Sequence, residues 1–188
     1  MNIFDTTAGA KFVRADLHIH SFGEGGSFDV KDSLMTPESI VDTAIEKGLS
    51  VISITDHNEV GNVKAAVDHA SGKDILVIPG VEIATTQGHL LVYFEKVSEA
   101  VTFRGKLAIS DDKTICTQGI CECLSLAATL GGVGILAHIE LDSGFEKTIN
   151  RFGPQMEAVF THTSLMGLEI TKKDSSIFYT DKDENANR

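Results

Sequence analysis

Short apolar runs alternate with amphipathic stretches along this chain, and the two periods assign most of its elements. KFVRADLHIH, residues 11–20, reads as a strand, followed by the glycine-rich, acidic loop SFGEGGSFDVKDS. TPESIVDTAIEKG, residues 36–48, has the marks of a helix: Thr36 as cap, Pro37 and Glu38 in the first turn, and Gly48 as the stop. LSVISIT, residues 49–55, is β-branched and apolar, as a strand covered on both faces should be. NEVGNVKAAVDHASGK, residues 58–73, supplies the next helix and DILVIPG, residues 74–80, the next strand. VEIATTQGHLLVYF, residues 81–94, divides into two strands at a turn near Gln87 and Gly88.

Residues 95–118 are polar and without period, so they are expected to form a surface excursion. GICECLSLAATLGG, residues 119–132, is a helix with Ile120, Leu124 and Ala127 on one face, and VGILAH, residues 133–138, is a buried strand. PQMEAVFTHT, residues 154–163, suits a short helix and MGLEIT, residues 166–171, a last strand. Strand and helix in alternation imply parallel strands with helical crossovers, in an open sheet or a barrel.

The polar residues collect at one end of this pattern. His18 and His20, Asp56 and His57, Glu82, and His138 each stand at the carboxyl end of an expected strand, where α/β barrels assemble their active sites. Strand alternation turns His18 and His20 to the same side. With His89 these make five of the seven histidines; His69, in a helix, and His162, near a loop, are assigned surface or packing roles. Asp16, Asp56, Glu82 and either Asp29 or Glu24 are the accompanying carboxylates, and a mixed imidazole–carboxylate set suits zinc, manganese or iron.

Composition narrows the reading. A chain of 188 residues can bury one substantial core and is expected to be a single domain. It has neither a membrane-length apolar run nor a signal peptide, so a cytoplasmic protein with no membrane partner is expected. Cys116, Cys121 and Cys123 match no zinc or redox spacing and are expected to be reduced, packed thiols. A formal net charge of −11 opposes attraction to nucleic acid by this chain alone, whereas a phosphate substrate remains compatible once cations invert the local field. No phosphate-gripping G-x-x-x-x-G-K loop, dinucleotide fingerprint or Ser-His-Asp order is present.

ADLHIHS, ITDHNEV, PGVEI, GHLLVYF and ILAHIE, in this order and spacing, resemble the motifs of the polymerase-and-histidinol-phosphatase (PHP) family over about residues 14–170. The resemblance implies a distorted (β/α)7 TIM-like barrel that binds two or three divalent metal ions. It also implies hydrolysis of a phosphate ester, on a nucleotide or phosphorylated small molecule, by a metal-activated hydroxide. Carried over by residue, His18 and His20 hold one ion, Glu82 bridges it to a second bound by His89 and His138, and His57 serves a third. Asp29, with Glu24 in reserve, is the early carboxylate ligand. Asp16 and Asp56 orient histidine rings and with Glu82 complete the catalytic set. Lys11, Arg14, Arg104 and Lys172 are the cations available to assist.

The pattern departs at its end. The family's late Asp and His ligands follow the strand that GLEIT resembles, but no histidine follows His162. His162 and Glu169 are candidate substitutes. The barrel is therefore expected to be incomplete at its C-terminus, in a fragment of a longer protein with a possible fused C-terminal domain. A nuclease module acting on DNA or RNA with the help of additional domains is the second reading. A non-catalytic metal-binding or assembly domain is the third.

Overall fold

A computed structural model of the chain describes residues 12–148 and 154–171. Its first sheet is parallel, in the order β1 (Ala15–Ile19), β2 (Val51–Ile54), β3 (Leu76–Val77). Helices α1 (Pro37–Glu46) and α2 (Val63–Ala70) cover it, burying Ile40, Val41, Ala44, Ala66 and Ala70 against Ile52, Ile54 and Val77. Thr36 caps α1 as expected, its Oγ1 accepting the Ser39 amide at 3.2 Å. Helix α2 starts later than its pattern suggested, because residues 58–62 form a turn against the second sheet rather than a first helical turn.

The second sheet runs β4 (Gly80–Thr85), β5 (Gly88–Tyr93), β6 (Val133–Leu136), β7 (Leu165–Leu168). Alternating strands and helices implied parallel strands with helical crossovers, but in this sheet β4–β5 and β5–β6 are antiparallel and only β6–β7 is parallel. The cause for the first pair is the short turn between Thr85 and Gly88, which can join only antiparallel neighbours. Gly88 sits there at φ 113, and a Cβ would lie 2.7 Å from the Phe145 amide nitrogen. The larger core lies behind this sheet, with Val81, Ile83, Leu90 and Val92 packed on α3 (Val97–Gly105), α4 (Ile120–Thr129) and α6 (Pro154–Phe160). Cys116 and Cys123 belong to it as buried free thiols.

Residues 95–118 are less irregular than their sequence suggested. They include α3, which shows no apolar stripe but buries Ala100 and Phe103, the latter 5.2 Å from the Phe94 ring centre. A four-residue helix, α5 (Phe145–Thr148), was likewise not expected.

The two sheets meet at the carboxyl end of β2. The Glu82 amide donates to the Asp56 carbonyl at 3.2 Å and the Asn58 amide to the Glu82 carbonyl at 2.8 Å, a parallel bridge between His57 and Glu82. β3 and β4 thus lie end to end beside β2, parted at Pro79. A closed seven-stranded barrel does not form among the described residues: β1 pairs only with β2, and β7 only with β6. Lys11, Lys172 and the polar ending YTDKDENANR lie outside the described residues. No helix among those described is long and apolar enough to cross a membrane.

Candidate metal centre

Every strand near the junction aims at Glu82, whose side chain is 0% exposed. It projects from β4, flanked by backbone bonds to residues 56 and 58 on one side and by its β5 partner Leu91 on the other. Five imidazoles close around it. Oε2 is 3.0 Å from His18 Nε2 and 2.7 Å from His20 Nε2, so the alternation of β1 does turn both rings to one side. His57 Nδ1, from the turn after β2, is 3.3 Å from the same oxygen. Oε1 is 2.9 Å from His89 Nδ1, on β5, and 3.1 Å from His138 Nε2, just after β6.

Asp29 extends the cluster outward: its Oδ1 is 3.4 Å from His20 Nδ1 and its Oδ2 3.8 Å from His57 Nε2. Ser27 Oγ donates to Asp29 at 2.5 Å and holds it in place. Of the two early carboxylates left open by sequence, the structure brings Asp29 to the histidines and leaves Glu24 on the exposed loop.

The donors fall into three sets whose ligand atoms lie within 4.8 Å of one another: His18–Glu82–His138, His57–Glu82–His89 and His20–Asp29–His57. This sorting differs from the expected one, in which His18 and His20 shared an ion. His18 and His20 face the same Glu82 oxygen with ring centres 5.2 Å apart, yet each is grouped with different further donors. Five ring nitrogens crowd one carboxylate that has about four acceptor directions. His57 Nδ1, although near Glu82, is buried without a hydrogen bond. Imidazole nitrogens and carboxylate oxygens gathered around one buried glutamate fit divalent cations of the zinc, manganese or iron type.

The electrostatics follow from this crowding. Burial disfavours ionised Glu82, but hydrogen bonds from His138, His18, His20 and His89 prevail and hold its carboxyl well below the usual carboxylate range. Burial also opposes charge on His18, yet its bonds to Glu169 and Glu82 raise it to about 10. For His57 burial wins, and its pKa falls to about 4.

Glu169, just past β7, was considered only as a substitute ligand. Both its oxygens lie 3.0 Å from His18 Nδ1, and Oε2 accepts the His138 amide at 2.8 Å. It therefore orients two histidine-bearing segments, as carboxylates behind metal-binding histidines do. The GLEIT motif was the available signal.

The ring-orienting task expected of Asp16 and Asp56 is not what their contacts show. Asp16 Oδ1 accepts the His18 backbone amide at 3.3 Å. Buried Asp56 accepts the Ser21 amide at 2.5 Å and hydroxyl at 2.6 Å, with its pKa pushed up by burial to about 6. Both short side chains reach neighbouring backbone before any ring. His69 pairs with Asp42 on the surface and His162 contacts Ser125, so neither joins the centre. Arg104 and Lys113 are both ion-paired to Glu59, and Arg14 bonds the Lys47 carbonyl.

An α/β scaffold with a carboxylate-centred histidine cluster at its strand ends defines a metal-binding domain. Residues 16–151 match the PHP domain, and the chain belongs to that family. It is 31% identical over 115 residues to the uncharacterized protein MJ1587 of Methanocaldococcus jannaschii, a stretch covering 52% of this chain and 66% of that protein. It is 38% identical over 72 residues to the 5'-3' exoribonuclease Rnm of Salmonella typhimurium, covering 37% of this chain and 22% of the exoribonuclease. The fold is shared with the lesion-specific endonuclease Q of Pyrococcus furiosus, with a TM-score of 0.67 and 23% identity over 84% of this chain and 42% of that one. A second endonuclease Q structure, with a 27-mer duplex substrate carrying an abasic lesion at the active site, matches with the same TM-score and 22% identity. The chain thus spans under two thirds of each relative.

Proposed function

We propose that this chain is a metal-dependent phosphoesterase that hydrolyses a nucleotide or small-molecule phosphate ester. Glu82 carries the proposal: one buried carboxylate belongs to two of the three donor sets, which is how neighbouring cations are held at a fixed spacing. His18, His20, Asp29, His57, Glu82, His89 and His138 would hold two or three zinc, manganese or iron ions. Bound there, such ions supply Lewis acidity that lowers the pKa of water and offsets charge developing on phosphoryl oxygens. The protein's own residues preset the site. Glu82 fixes the ring nitrogens, Glu169 holds His18 through Nδ1, and Asp56 ties the end of β1 to that of β2 through Ser21.

A nuclease module is the second reading, favoured by the likeness to the exoribonuclease within the family region. Both readings place a cytoplasmic domain within a longer protein, whose fused C-terminal part would complete the seven-stranded barrel and supply any basic groove for nucleic acid.

The test is metal content and hydrolysis together, on chain purified without chelator or histidine tag. Two or more equivalents of metal, with turnover of a phosphomonoester or oligonucleotide, are expected. Glu82→Gln should lower the stoichiometry and abolish turnover while keeping the fold, and His69→Ala should retain both. Full metal content and turnover in Glu82→Gln would overturn the assignment.

A further inference from the structure

The rim of the centre carries a group that metal binding does not use. Phe28 stands in the glycine-rich loop immediately before Asp29. Its ring stacks on the His57 imidazole with centroids 5.2 Å apart and an interplanar angle of 26°. It is nevertheless 44% exposed, so the stack covers one side of the ring and leaves much of the rest in water. Lys31 Nζ donates to the Phe28 backbone carbonyl at 2.8 Å. The neighbouring carboxylate of Asp29 is occupied with Ser27, His20 and His57.

A phenyl ring held flat at the mouth of a phosphoesterase site offers a nucleobase a stacking surface. Such contacts are sequence-tolerant, because every base has a π-face. They also suit an acidic chain of net charge −11, which lacks the phosphate-neutralising surplus of lysine and arginine that otherwise supplies affinity. His57 belongs to two of the three donor sets, so a base on Phe28 and a phosphoryl group at the centre are neighbours.

We propose that Phe28 is the base-stacking platform of this site, so that the substrate is a base-bearing phosphate ester: a nucleotide or the end of a single strand. The inference rests on the phosphoesterase reading and deepens it. A Phe28 that merely shielded His57 from water would serve every ester alike.

The experiment compares kcat/KM on the metal-loaded chain for base-bearing and base-free substrates. The pairs are a nucleoside 5'-monophosphate against ribose 5-phosphate, and a short oligonucleotide against the same one made abasic at its terminal positions. The wild type should prefer the base-bearing member by at least about fivefold, the low end of the range set by stacking of one base. Phe28→Leu should collapse that ratio, chiefly through KM, and Phe28→Trp should preserve it. Equal wild-type use of both members, or an equal loss on both in Phe28→Leu, overturns the platform and leaves the phosphoesterase reading standing. If the wild type hydrolyses neither pair, that reading fails, and equilibrium dialysis decides the platform separately. Tighter binding of the nucleoside monophosphate than of ribose 5-phosphate supports it, and equal binding overturns it.

Discussion

Replacing Asn58 dissects how the centre is held. Asn58 is fully buried with φ 53, in the left-handed region. Its amide donates to the Glu82 carbonyl, its Oδ1 accepts the Ala84 amide at 3.0 Å, and its Nδ2 donates to the Lys113 carbonyl at 2.9 Å. Asn58→Ala keeps the first bond and loses the other two. The Ala84 amide, on a residue 3% exposed, is then left without an acceptor, which costs about 1–3 kcal/mol. Alanine in a left-handed conformation adds about 1–2 kcal/mol. The Lys113 carbonyl belongs to an exposed residue and can turn to water, adding little. The sum is about 3 kcal/mol of lost stability. Asn58→Gly removes the strain but not the orphaned amide, and after allowing for glycine's greater unfolded-state freedom it should cost about 1 kcal/mol less than alanine. Urea unfolding in chelator measures both variants without a contribution from metal affinity. An alanine variant within about 0.5 kcal/mol of wild type would refute the orphaned-amide argument, because that loss alone is worth more. A glycine variant less stable than alanine would refute the strain term.

Two further substitutions test close packing and ring orientation. At Gly80 a Cβ would lie 2.3 Å from Ser53 Oγ and 2.9 Å from Thr55 Cγ2, both on buried residues, so Gly80→Ala should cost about 1–3 kcal/mol. A thermal midpoint equal to wild type would disprove that approach of β4 to β2. Glu169→Gln replaces the ionised partner of His18 Nδ1 and should weaken metal affinity by about 10–100-fold while the circular dichroism spectrum is kept. Affinity equal to wild type by calorimetric titration would remove Glu169 from the centre.

The parts legible in the sequence were those set by local chemistry. Thr36 and Pro37 announce a helix start, Gln87–Gly88 a turn, and the alternation of His18 and His20 a shared face, and each is where it was expected. What escaped depends on contacts between distant segments. Helix α3 has no apolar stripe to read, since its burial rests on Phe103 meeting Phe94 from a different strand. The sorting of the donors could not follow from H-x-H alone, because the further members of each set, His138 for His18 and Asp29 and His57 for His20, come from distant segments. The family resemblance assigned Asp56 a ring-orienting role, but its contacts are to the Ser21 amide and hydroxyl, from a segment 35 residues away.

The antiparallel excursion of β4 and β5 has a consequence for the chemistry. In an all-parallel arrangement each strand contributes to the site only from its carboxyl end. Here Glu82 projects from within β4, and His89, two residues into β5, returns to it across the hairpin. The buried carboxylate is thereby enclosed by ladder hydrogen bonds, and strand register sets the approach of His89 to it, while His20, His57 and His138 arrive from the segments after β1, β2 and β6. Burying that charge is costly without compensation. It is tolerated because the surrounding imidazoles, or the cations they are arranged to hold, answer it directly. The loop carrying Ser27, Phe28 and Asp29 is held outside this frame by contacts to His57 and His20. That loop nonetheless supplies Asp29 to the donor set His20–Asp29–His57, so the outer segment and the strand ends build the site together.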